Sequence, residues 1–484
     1  MKPFIYKFKT DRFNYIYDIN SNRVFQVSET TWTIIDDYDD CTIAQLSSMY
    51  PKFVKSELAE SYGEIVAARK DLNAFPVQRP SKMSYDDKLS IEEMLEAFPN
   101  EQLILNITES CNLRCKYCIY SGAYQGQRKH NAKTMSFASA RKALDRFLKS
   151  SKDEVHISFY GGEPLLAFNL IKQIIEYAEP TTTKQIHWSM TTNATLMTPE
   201  IAEYLLQKQF LLTVSLDGPR EIHDRYRVYP NGKGTFTKII KNLTYLHSLD
   251  EEYFKSNVIF SIVCAPPVRL PLINDFFAGH PLFKNNYVFI SYMNWTIDNF
   301  AYTPTQKDYQ IIARDRHNLL IQYATQAIPS DTKNKVLLAL YEKDLVNFYH
   351  RSKEKLGDTI RPNGCCIPSA RRLFLSTDDI LYGCEKIDSA YPIGTLDNWV
   401  EHDKVKKLVD DYLEISKDCL NCWACRLCIA CFANFIAYGR LDAEHRLKHC
   451  EAMKIHLHKM LVFYYEMLEE NIASFDHLSE RSFT

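Results

Sequence analysis

The sequence has no long apolar run, no strong charge bias and no apolar stretch near its start. No run approaches the roughly 18 apolar residues that a membrane-spanning helix needs. Lysine and arginine number 58 against 60 aspartate and glutamate residues, for a formal charge of -2. This balance argues against a surface for nucleic acid or an anionic membrane. Because the first nine residues also lack signal-peptide features, we expect a cytoplasmic protein.

Cysteine is the residue type that stands out among those present. The 484 residues are 46% hydrophobic and 24% charged, as in a globular protein of two to four domains. Fourteen cysteines are present, and most lie in closely spaced groups. In a reducing compartment such groups favour metal binding over disulfides. Only Cys41 and Cys264 stand apart, and we interpret both as buried small hydrophobic residues.

One cysteine group follows directly after the apolar run 103–107. Cys111, Cys115 and Cys118 have a C-x3-C-x2-C spacing. Three thiolates on one loop can hold three irons of a cubane cluster, which leaves the fourth iron open for chemistry. A structural zinc site is the alternative, but tetrahedral zinc needs four ligands and only His130 lies nearby. The spacing therefore favours an iron-sulfur cluster.

The loop and three later motifs together resemble the radical SAM enzymes. In that family a C-x3-C-x-Tyr-C loop follows the first strand, and Tyr117 stands at the matching position here. The later motifs occur in the family's order: Gly161 to Pro164, Thr191 to Asn193, and Ser215 to Pro219 followed by His223 to Arg227. The arrangement is similar to the branch with a C-terminal SPASM domain, which binds auxiliary iron-sulfur clusters.

The resemblance implies a cofactor and a set of binding residues. A 4Fe-4S cluster on Cys111, Cys115 and Cys118 would cleave S-adenosyl-L-methionine (SAM) to a 5′-deoxyadenosyl radical. A reducing partner such as flavodoxin or ferredoxin would supply the electron. The cofactor-binding residues implied are Gly161, Gly162 and Glu163 for the methionyl amino group, Asn193 and Ser215 for the carboxylate or ribose, and Tyr117 near the adenine.

Short β-rich runs alternate with amphipathic helical runs between residues 102 and 291, which predicts βα units around a parallel sheet. The resemblance implies an α/β fold with a partial (β/α)6 TIM barrel over residues 100–303. The motifs should then converge at the carboxyl ends of the strands. A helical bridge is expected over 304–360. The predicted strands are 102–107, 154–160, 185–190, 210–215, 256–263 and 286–291.

The first 80 residues predict a separate domain. Residues 13–27 form two alternating runs joined by Asn-Ser-Asn, which indicates a hairpin, and three helical segments follow. This order resembles the RiPP recognition element, a winged-helix-like domain that binds the leader of a precursor peptide. A DNA-binding winged helix is the alternative, but the segment is not basic. Residues 81–99 read as a linker.

The remaining grouped cysteines lie in residues 361–484, which resemble a SPASM domain with two auxiliary 4Fe-4S clusters. The family's pairing implies a far cluster on Cys419, Cys422, Cys428 and Cys450, with Cys425 as an extra cysteine. It implies a near cluster on Cys384, Cys431 and one or both of Cys365 and Cys366. Two departures from the family are the C-x2-C spacing of Cys428 and Cys431, and Asp379 in place of a glycine. A pair of zinc ribbons is the alternative.

These features together predict a radical SAM maturase that modifies a ribosomally made precursor peptide. The expected product is a cysteine thioether, of the ranthipeptide or sactipeptide type, with an epimer or a carbon-carbon link as alternatives. A formylglycine-forming sulfatase maturase is a second enzyme class, although that family has an aspartate where Glu385 stands. Glu385 is therefore a catalytic candidate. A non-enzymatic metal-ribbon scaffold is the alternative from another class.

The metal content distinguishes the cluster interpretation from the zinc interpretation. Protein purified without oxygen should be brown and contain about twelve iron and about twelve sulfide atoms per chain, for three clusters. Elemental analysis with a sulfide assay checks this. Stoichiometric zinc without sulfide would contradict the prediction.

Overall fold

A computed structural model of the chain describes residues 2–86, 88–124, 128–293, 302–325, 335–362, 366–387 and 389–479. Within these ranges no helix combines the length and the apolar character needed to cross a bilayer. The strands are β1 (Ile5–Lys9), β2 (Asn14–Asp18), β3 (Arg23–Val27), β4 (Lys82–Met83), β5 (Gln102–Thr108), β6 (Glu154–Gly161), β7 (Gln185–Thr192), β8 (Leu211–Ser215), β9 (Val258–Cys264), β10 (Val288–Tyr292), β11 (Thr359–Ile360), β12 (Arg372–Leu375), β13 (Ile380–Tyr382), β14 (Gly394–Thr395), β15 (Trp399–Val400), β16 (Ile436–Ala437) and β17 (Arg440–Leu441). The α-helices are α1 (Glu29–Ile34), α2 (Ile43–Met49), α3 (Lys55–Leu72), α4 (Ile91–Ala97), α5 (Phe137–Ser150), α6 (Phe168–Thr181), α7 (Pro199–Gln207), α8 (Arg220–Tyr226), α9 (Phe236–Leu249), α10 (Glu251–Asn257), α11 (Leu270–Gly279), α12 (Gln306–Thr325), α13 (Lys335–Leu337), α14 (Lys343–Tyr349), α15 (His402–Ile415) and α16 (Ala443–Glu470).

Six parallel strands form the central sheet of the chain. Strands β5 to β10 are neighbours in sequence order, and each pairs in parallel with the next. Each predicted strand is observed, with ends within two residues of the expected ones. The α/β class with a partial βα barrel is therefore confirmed. The parallel order brings the carboxyl ends of the six strands to one rim, which is where the predicted motifs lie.

The two faces of this sheet differ in character. Val155, Ile157 and Phe159 of β6 are fully buried in the main core, where they share a cluster with residues of the covering helices. The alternate residue Ser158 has the opposite orientation, and its hydroxyl lies 2.6 Å from that of Ser189 on β7. The apolar outer face therefore stabilises the sheet by packing against the helices, and the inner face carries polar side chains such as these serines.

The C-terminal segment extends the same sheet. Strand β12 pairs in parallel with β5, with Arg372 opposite Gln102 and Leu375 opposite Leu105. Strands β13, β14 and β15 then add in antiparallel order to complete a ten-stranded sheet. The residues that follow β13, including Cys384, are thereby placed beside the first strand of the barrel.

The N-terminal segment forms a three-stranded antiparallel sheet and three helices. The predicted hairpin is observed as β2 and β3, and α1 to α3 follow. Strand β1 was not predicted and pairs with β2. The strand was missed because lysines are unusual in a partly buried strand. Here the Lys7 and Lys9 ammonium groups lie 4.2 and 4.1 Å from the ring centroid of Trp32, so their stems pack on the domain.

The predicted linker over 81–99 contains regular structure. Strand β4 pairs with β11, and a capping box of Ser90 and Glu93 begins α4. The predicted bridge is helical, but its second helix is interrupted by a π-helical turn at Leu338–Glu342. Helix α16 lies in the C-terminal segment, and its buried apolar residues are Leu457, Met460, Leu461, Phe463 and Tyr464.

Candidate active site

The loop after β5 carries the first three cysteines and is fixed by backbone hydrogen bonds. The amide of Arg114 donates to the Val228 carbonyl at 2.8 Å, and that of Lys116 donates to the Tyr226 carbonyl at 3.1 Å. Both acceptors lie at the end of α8. The loop is therefore held against the rim of the fourth barrel strand although it begins at the first.

The three thiols of this loop are close enough to influence one another. Burial, with a smaller contribution from Cys118, raises the pKa of Cys111 to about 11 and that of Cys115 to about 12. Burial also raises the pKa of Cys118. Without a bound cation these sulfurs are thiols at neutral pH, and coordination to a metal would deprotonate them. Three converging thiols fit a cluster with one open iron.

Two glycines allow the end of β6 to approach the cysteine loop. A Cβ atom on Gly161, whose φ is +136°, would lie 2.2 Å from the carbonyl oxygen of Thr108. A Cβ on Gly162 would lie 2.2 Å from the carbonyl oxygen of Ser110, the residue before Cys111. Only glycine permits this approach, so the Gly-Gly pair sets the distance between the second strand and the cysteine loop.

Glu163 is buried and satisfied by three donors. One carboxylate oxygen accepts from the Leu165 amide at 3.1 Å and the Thr192 hydroxyl at 2.7 Å, and the other accepts from the Asn193 amide at 2.7 Å. Burial raises the pKa of this carboxyl to about 7, although the three hydrogen bonds oppose the shift. The side chain joins the ends of β6 and β7, and thereby positions Asn193.

Asn193 places its amide beside the cysteine loop. Its Nδ2 atom lies 4.0 Å from the Cys111 sulfur and donates to the Asn112 side-chain oxygen at 3.0 Å. Its Oδ1 atom accepts from the hydroxyl of Thr195 at 2.6 Å. Ser215 is half-buried at the end of β8. The predicted residues from β6, β7 and β8 thus lie on one rim with the cysteines.

A buried charge network lies next to this loop and was not predicted. The Arg227 Nε atom donates to Asp217 at 3.0 Å, and the Tyr117 hydroxyl donates to the same carboxylate oxygen. The side chains of Asp217 and Arg227 are only 2% and 9% exposed. Arg227 also lowers the pKa of the Cys115 thiol, against the larger effect of burial. Its positive charge favours thiolates at this site.

The partners of this network fix its protonation. Thr235 donates its hydroxyl to the Arg227 carbonyl, so it accepts from His223 Nε2 at 2.9 Å, and His223 Nδ1 accepts from the Asp217 amide at 3.3 Å. Burial lowers the pKa of His223 to about 4, and the ring is therefore neutral. Asp217 and Arg227 belong to the motifs 215–219 and 223–227 of the sequence analysis. Helix α8 lies between them, so the sequence did not reveal their contact.

Five C-terminal cysteines line one small cavity of about 50 Å³. They are Cys419, Cys422, Cys425, Cys428 and Cys450. The group includes the four cysteines predicted for the far cluster and also the extra Cys425. Arg446, which is 3% exposed, donates to the Cys419 sulfur at 3.3 Å and pairs with Asp418. Sulfur ligands beside Arg446, with Arg361 and Lys454 in the same cavity lining, fit an anionic cluster.

The near group contains three of its predicted cysteines, whereas Cys365 lies outside the described residues. Cys431 contributes to the raised pKa of Cys366, after burial. The Cys384 thiol donates to Glu385 at 3.2 Å, and Arg372 pairs with the same carboxylate at 3.3 Å. The catalytic candidate Glu385 is therefore held between a cysteine and an arginine.

The pKa of Tyr160 depends on burial and on residues of both the near group and the first cysteine loop. The residue lies on β6, and burial raises its pKa, with further contributions from Tyr120, Glu385 and Cys118. Both Glu385 and Cys118 thus act on the same phenol. No three His, Cys, Asp or Glu side chains in the described part of the chain are grouped to hold one metal ion. A cubane gives each thiolate a separate iron, so its ligands need not meet at one atom.

The comparison with known families identifies the central segment. Residues 105–264 match the model of the radical SAM superfamily. This segment is a radical SAM domain. The chain is therefore an enzyme, which excludes the non-enzymatic scaffold. Such a domain carries a 4Fe-4S cluster and binds SAM. The individual ligands named above remain predictions, since they rest on the fit of this chain's own side chains.

Known proteins similar to the chain include several named enzymes. A cysteine-type anaerobic sulfatase-maturating enzyme of Clostridium novyi is 24% identical over 66% of this chain and 84% of its own length. The radical SAM cyclopropyl synthase TigE of Paramaledivibacter caminithermalis is 30% identical, over 32% of this chain and 34% of that protein. The structure of native anSMEcpe with bound AdoMet has a TM-score of 0.59 at 18% identity, covering 79% of this chain and 100% of that one. This structural likeness establishes the shared fold.

Removing the three loop cysteines tests their assignment. Replacing Cys111, Cys115 and Cys118 together with alanine should abolish 5′-deoxyadenosine formation, because no thiolate then holds the SAM-cleaving cluster at the rim. Iron bound by the C-terminal cysteines should remain. Chromatographic assay of 5′-deoxyadenosine and iron analysis measure the two effects, with Cys41→Ala as the control. Continued SAM cleavage by the triple variant would refute the assignment.

Proposed function

We propose that the chain is a radical SAM maturase that modifies a ribosomally made precursor peptide. The observation that carries this proposal is an open groove beside an edge strand, in a domain attached to the radical SAM barrel. The groove encloses about 500 Å³ between β3 and α3. Within residues 2–86, β3 pairs only with β2, so its other edge is open to an added strand.

The lining of the groove suits an extended peptide. Phe25 and Val27 come from the strand, and Ile65, Ala68 and Phe75 come from α3 and the residues after it. A peptide that adds to β3 would gain main-chain hydrogen bonds and would place alternate side chains against these apolar groups. Such binding needs no strong charge, which agrees with the neutral composition of the chain.

The active site proposed for this substrate lies at the barrel rim. Cys111, Cys115 and Cys118 would hold the cluster, and the residues that fix SAM would be those already placed at the ends of β6, β7 and β8. SAM, when bound, supplies the 5′-deoxyadenosyl radical that removes a hydrogen atom from the peptide.

The near cysteine group supports thioether formation as the reaction. Cys366, Cys384 and Cys431 provide three thiols in the described residues, so a cluster bound there could keep an iron for the cysteine of the substrate. Coordination would lower the pKa of that thiol and hold it near the rim. Forming the C–S bond removes one hydrogen atom, one proton and one electron, and the near cluster would accept the electron.

Formylglycine formation is the second candidate function. It is favoured by the similarity to the Clostridium novyi sulfatase-maturating enzyme, which extends over 84% of that protein. Glu385 would then serve as a base toward the substrate. Its contacts with Arg372 and the Cys384 thiol restrain the carboxylate. The groove beside β3 would have no role in that reaction, which makes this function the weaker candidate.

Filling the groove tests peptide recognition. Ala68→Trp should weaken binding of the precursor leader about tenfold or more, because the indole would occupy space needed by apolar side chains of the leader. Ala67→Trp, on the exposed neighbouring position, is the matched control. Fluorescence anisotropy measures affinity, and SAM cleavage without peptide should be unchanged in both variants. Equal affinities in the two variants would refute leader binding at this groove.

The mass of the matured peptide distinguishes the reactions. A thioether removes two hydrogens per crosslink and blocks alkylation of the cysteine. Formylglycine formation from cysteine removes the sulfur, and epimerisation in ordinary water leaves the mass unchanged. Tandem mass spectrometry after iodoacetamide treatment measures both the mass of the peptide and the number of free thiols. A product that keeps its full mass and all its free thiols would rule out the thioether.

A further inference from the structure

The loop that carries the far cysteine group also contacts the N-terminal domain. Trp423, which follows Cys422, stacks on Tyr6 of β1 with ring centroids 3.7 Å apart and an angle of 7° between the planes. The Tyr6 hydroxyl in turn lies 3.0 Å from His458 Nδ1 on α16. One aromatic residue between two cysteines therefore supports the first strand of the peptide-binding domain.

Arg426 makes the second contact, on the other side of Cys425. Its guanidinium donates to the carbonyls of Asn20 and Glu354, both at 2.9 Å, and to that of Ile19 at 3.3 Å. The second terminal nitrogen donates to the Ser352 carbonyl at 3.3 Å. These acceptors lie in the turn between β2 and β3 and in the segment after α14. One side chain thus joins the N-terminal domain to the helical bridge.

Cys425 itself lies at this contact. It is 7% exposed, and Tyr17 of β2, which is fully buried, has its pKa raised by burial and then by Cys425. The Tyr17 hydroxyl donates to the Asn22 side chain at 2.6 Å. The wall of the far cysteine cavity is therefore also the surface that receives β2.

The loop has little structure of its own to hold this surface. From Cys419 to Cys428 it consists of the end of a short 3-10 helix and the tight turns after it, in which the amides of Cys422 and Cys425 donate to the carbonyl three residues earlier at 3.1 Å. Such turns are weak without further constraint, and coordination of several cysteines to one cluster would supply that constraint.

We infer that residues 419–428 are a docking loop that positions the N-terminal domain on the catalytic core, and that cluster binding by its cysteines fixes this loop. Trp423 and Arg426 are then positioning residues for leader-guided modification. The sheet docks through β1 and β2, and the groove beside β3 stays open. The inference rests on the proposed function for the far cluster and the leader, but docking can be measured without either a leader or turnover.

Hydrogen exchange followed by mass spectrometry provides the first test. In the cluster-loaded enzyme, Trp423→Ala and Arg426→Ala should speed exchange in β1 and β2 by about tenfold or more, because local opening becomes easier when the docking contacts are lost. Exchange in α5 and α9 of the barrel should not change. Trp423→Phe should restore most of the protection. Arg440→Ala, at an exposed arginine of the same domain, is the control.

The second test removes the far cluster. The variant Cys419→Ser/Cys450→Ser should show the same faster exchange in β1 and β2, with the barrel unchanged and the iron content lower. Protection equal to wild type in β1 and β2, in either set of variants, would overturn the inference. Faster exchange throughout the barrel would also overturn it, because the loop would then support the whole fold.

A functional readout separates positioning from general stability. Trp423→Ala and Arg426→Ala should bind the isolated leader as wild type does and should cleave SAM without peptide at the same rate, yet modify the full precursor about tenfold more slowly. Weaker binding of the isolated leader would place Trp423 or Arg426 in leader binding and overturn the positioning role. Absence of leader binding in the wild-type enzyme would instead refute the proposed function and leave the exchange result intact.

Discussion

The close approach of β6 to the cysteine loop is the constraint on which the rest of the active site depends. Gly161 and Gly162 lie so near the backbone of Thr108 and Ser110 that a methyl group at either glycine would overlap a carbonyl oxygen. This contact brings Glu163 to the end of β7, where it orders Asn193. The rim of the barrel is thus built by backbone packing, and its polar side chains follow from that packing.

The buried pair of Asp217 and Arg227 complements this packing with charge. Burying two ions is costly unless they are paired and hydrogen-bonded, and here the Tyr117 hydroxyl and the Val263 amide both donate to the Asp217 carboxylate. The pair therefore keeps the Arg227 charge buried beside thiols that must become anionic when a cluster binds. At Cys115, where burial is the largest effect on the thiol pKa, the arginine outweighs the opposing effect of Asp217. Burial alone would oppose that ionisation, so the arginine compensates for part of the effect of the apolar setting.

The sequence predicted features that depend on neighbouring residues and missed those that depend on distant contacts. The six barrel strands followed from alternating runs, and the cysteine triplet and Gly-Gly-Glu motif from local spacing. Strand β1 was missed because its lysines pack along Trp32, which lies beyond the hairpin. The contact of Asp217 with Arg227 requires α8 to reverse the chain. Cys425 lies in the same cavity as four other cysteines because of the turns in its loop. The spacing of the cysteines does not define the direction of those turns.

The parallel pairing of β12 with β5 means that the radical SAM segment is not a separable module. In an isolated barrel, β5 would present a bare row of amides and carbonyls, the kind of edge that recruits other chains into aggregates. Here the C-terminal domain covers that edge. The first barrel strand and the cysteines after it are therefore completed only after β12 has been synthesised, which couples folding of the catalytic loop to a segment distant in the sequence.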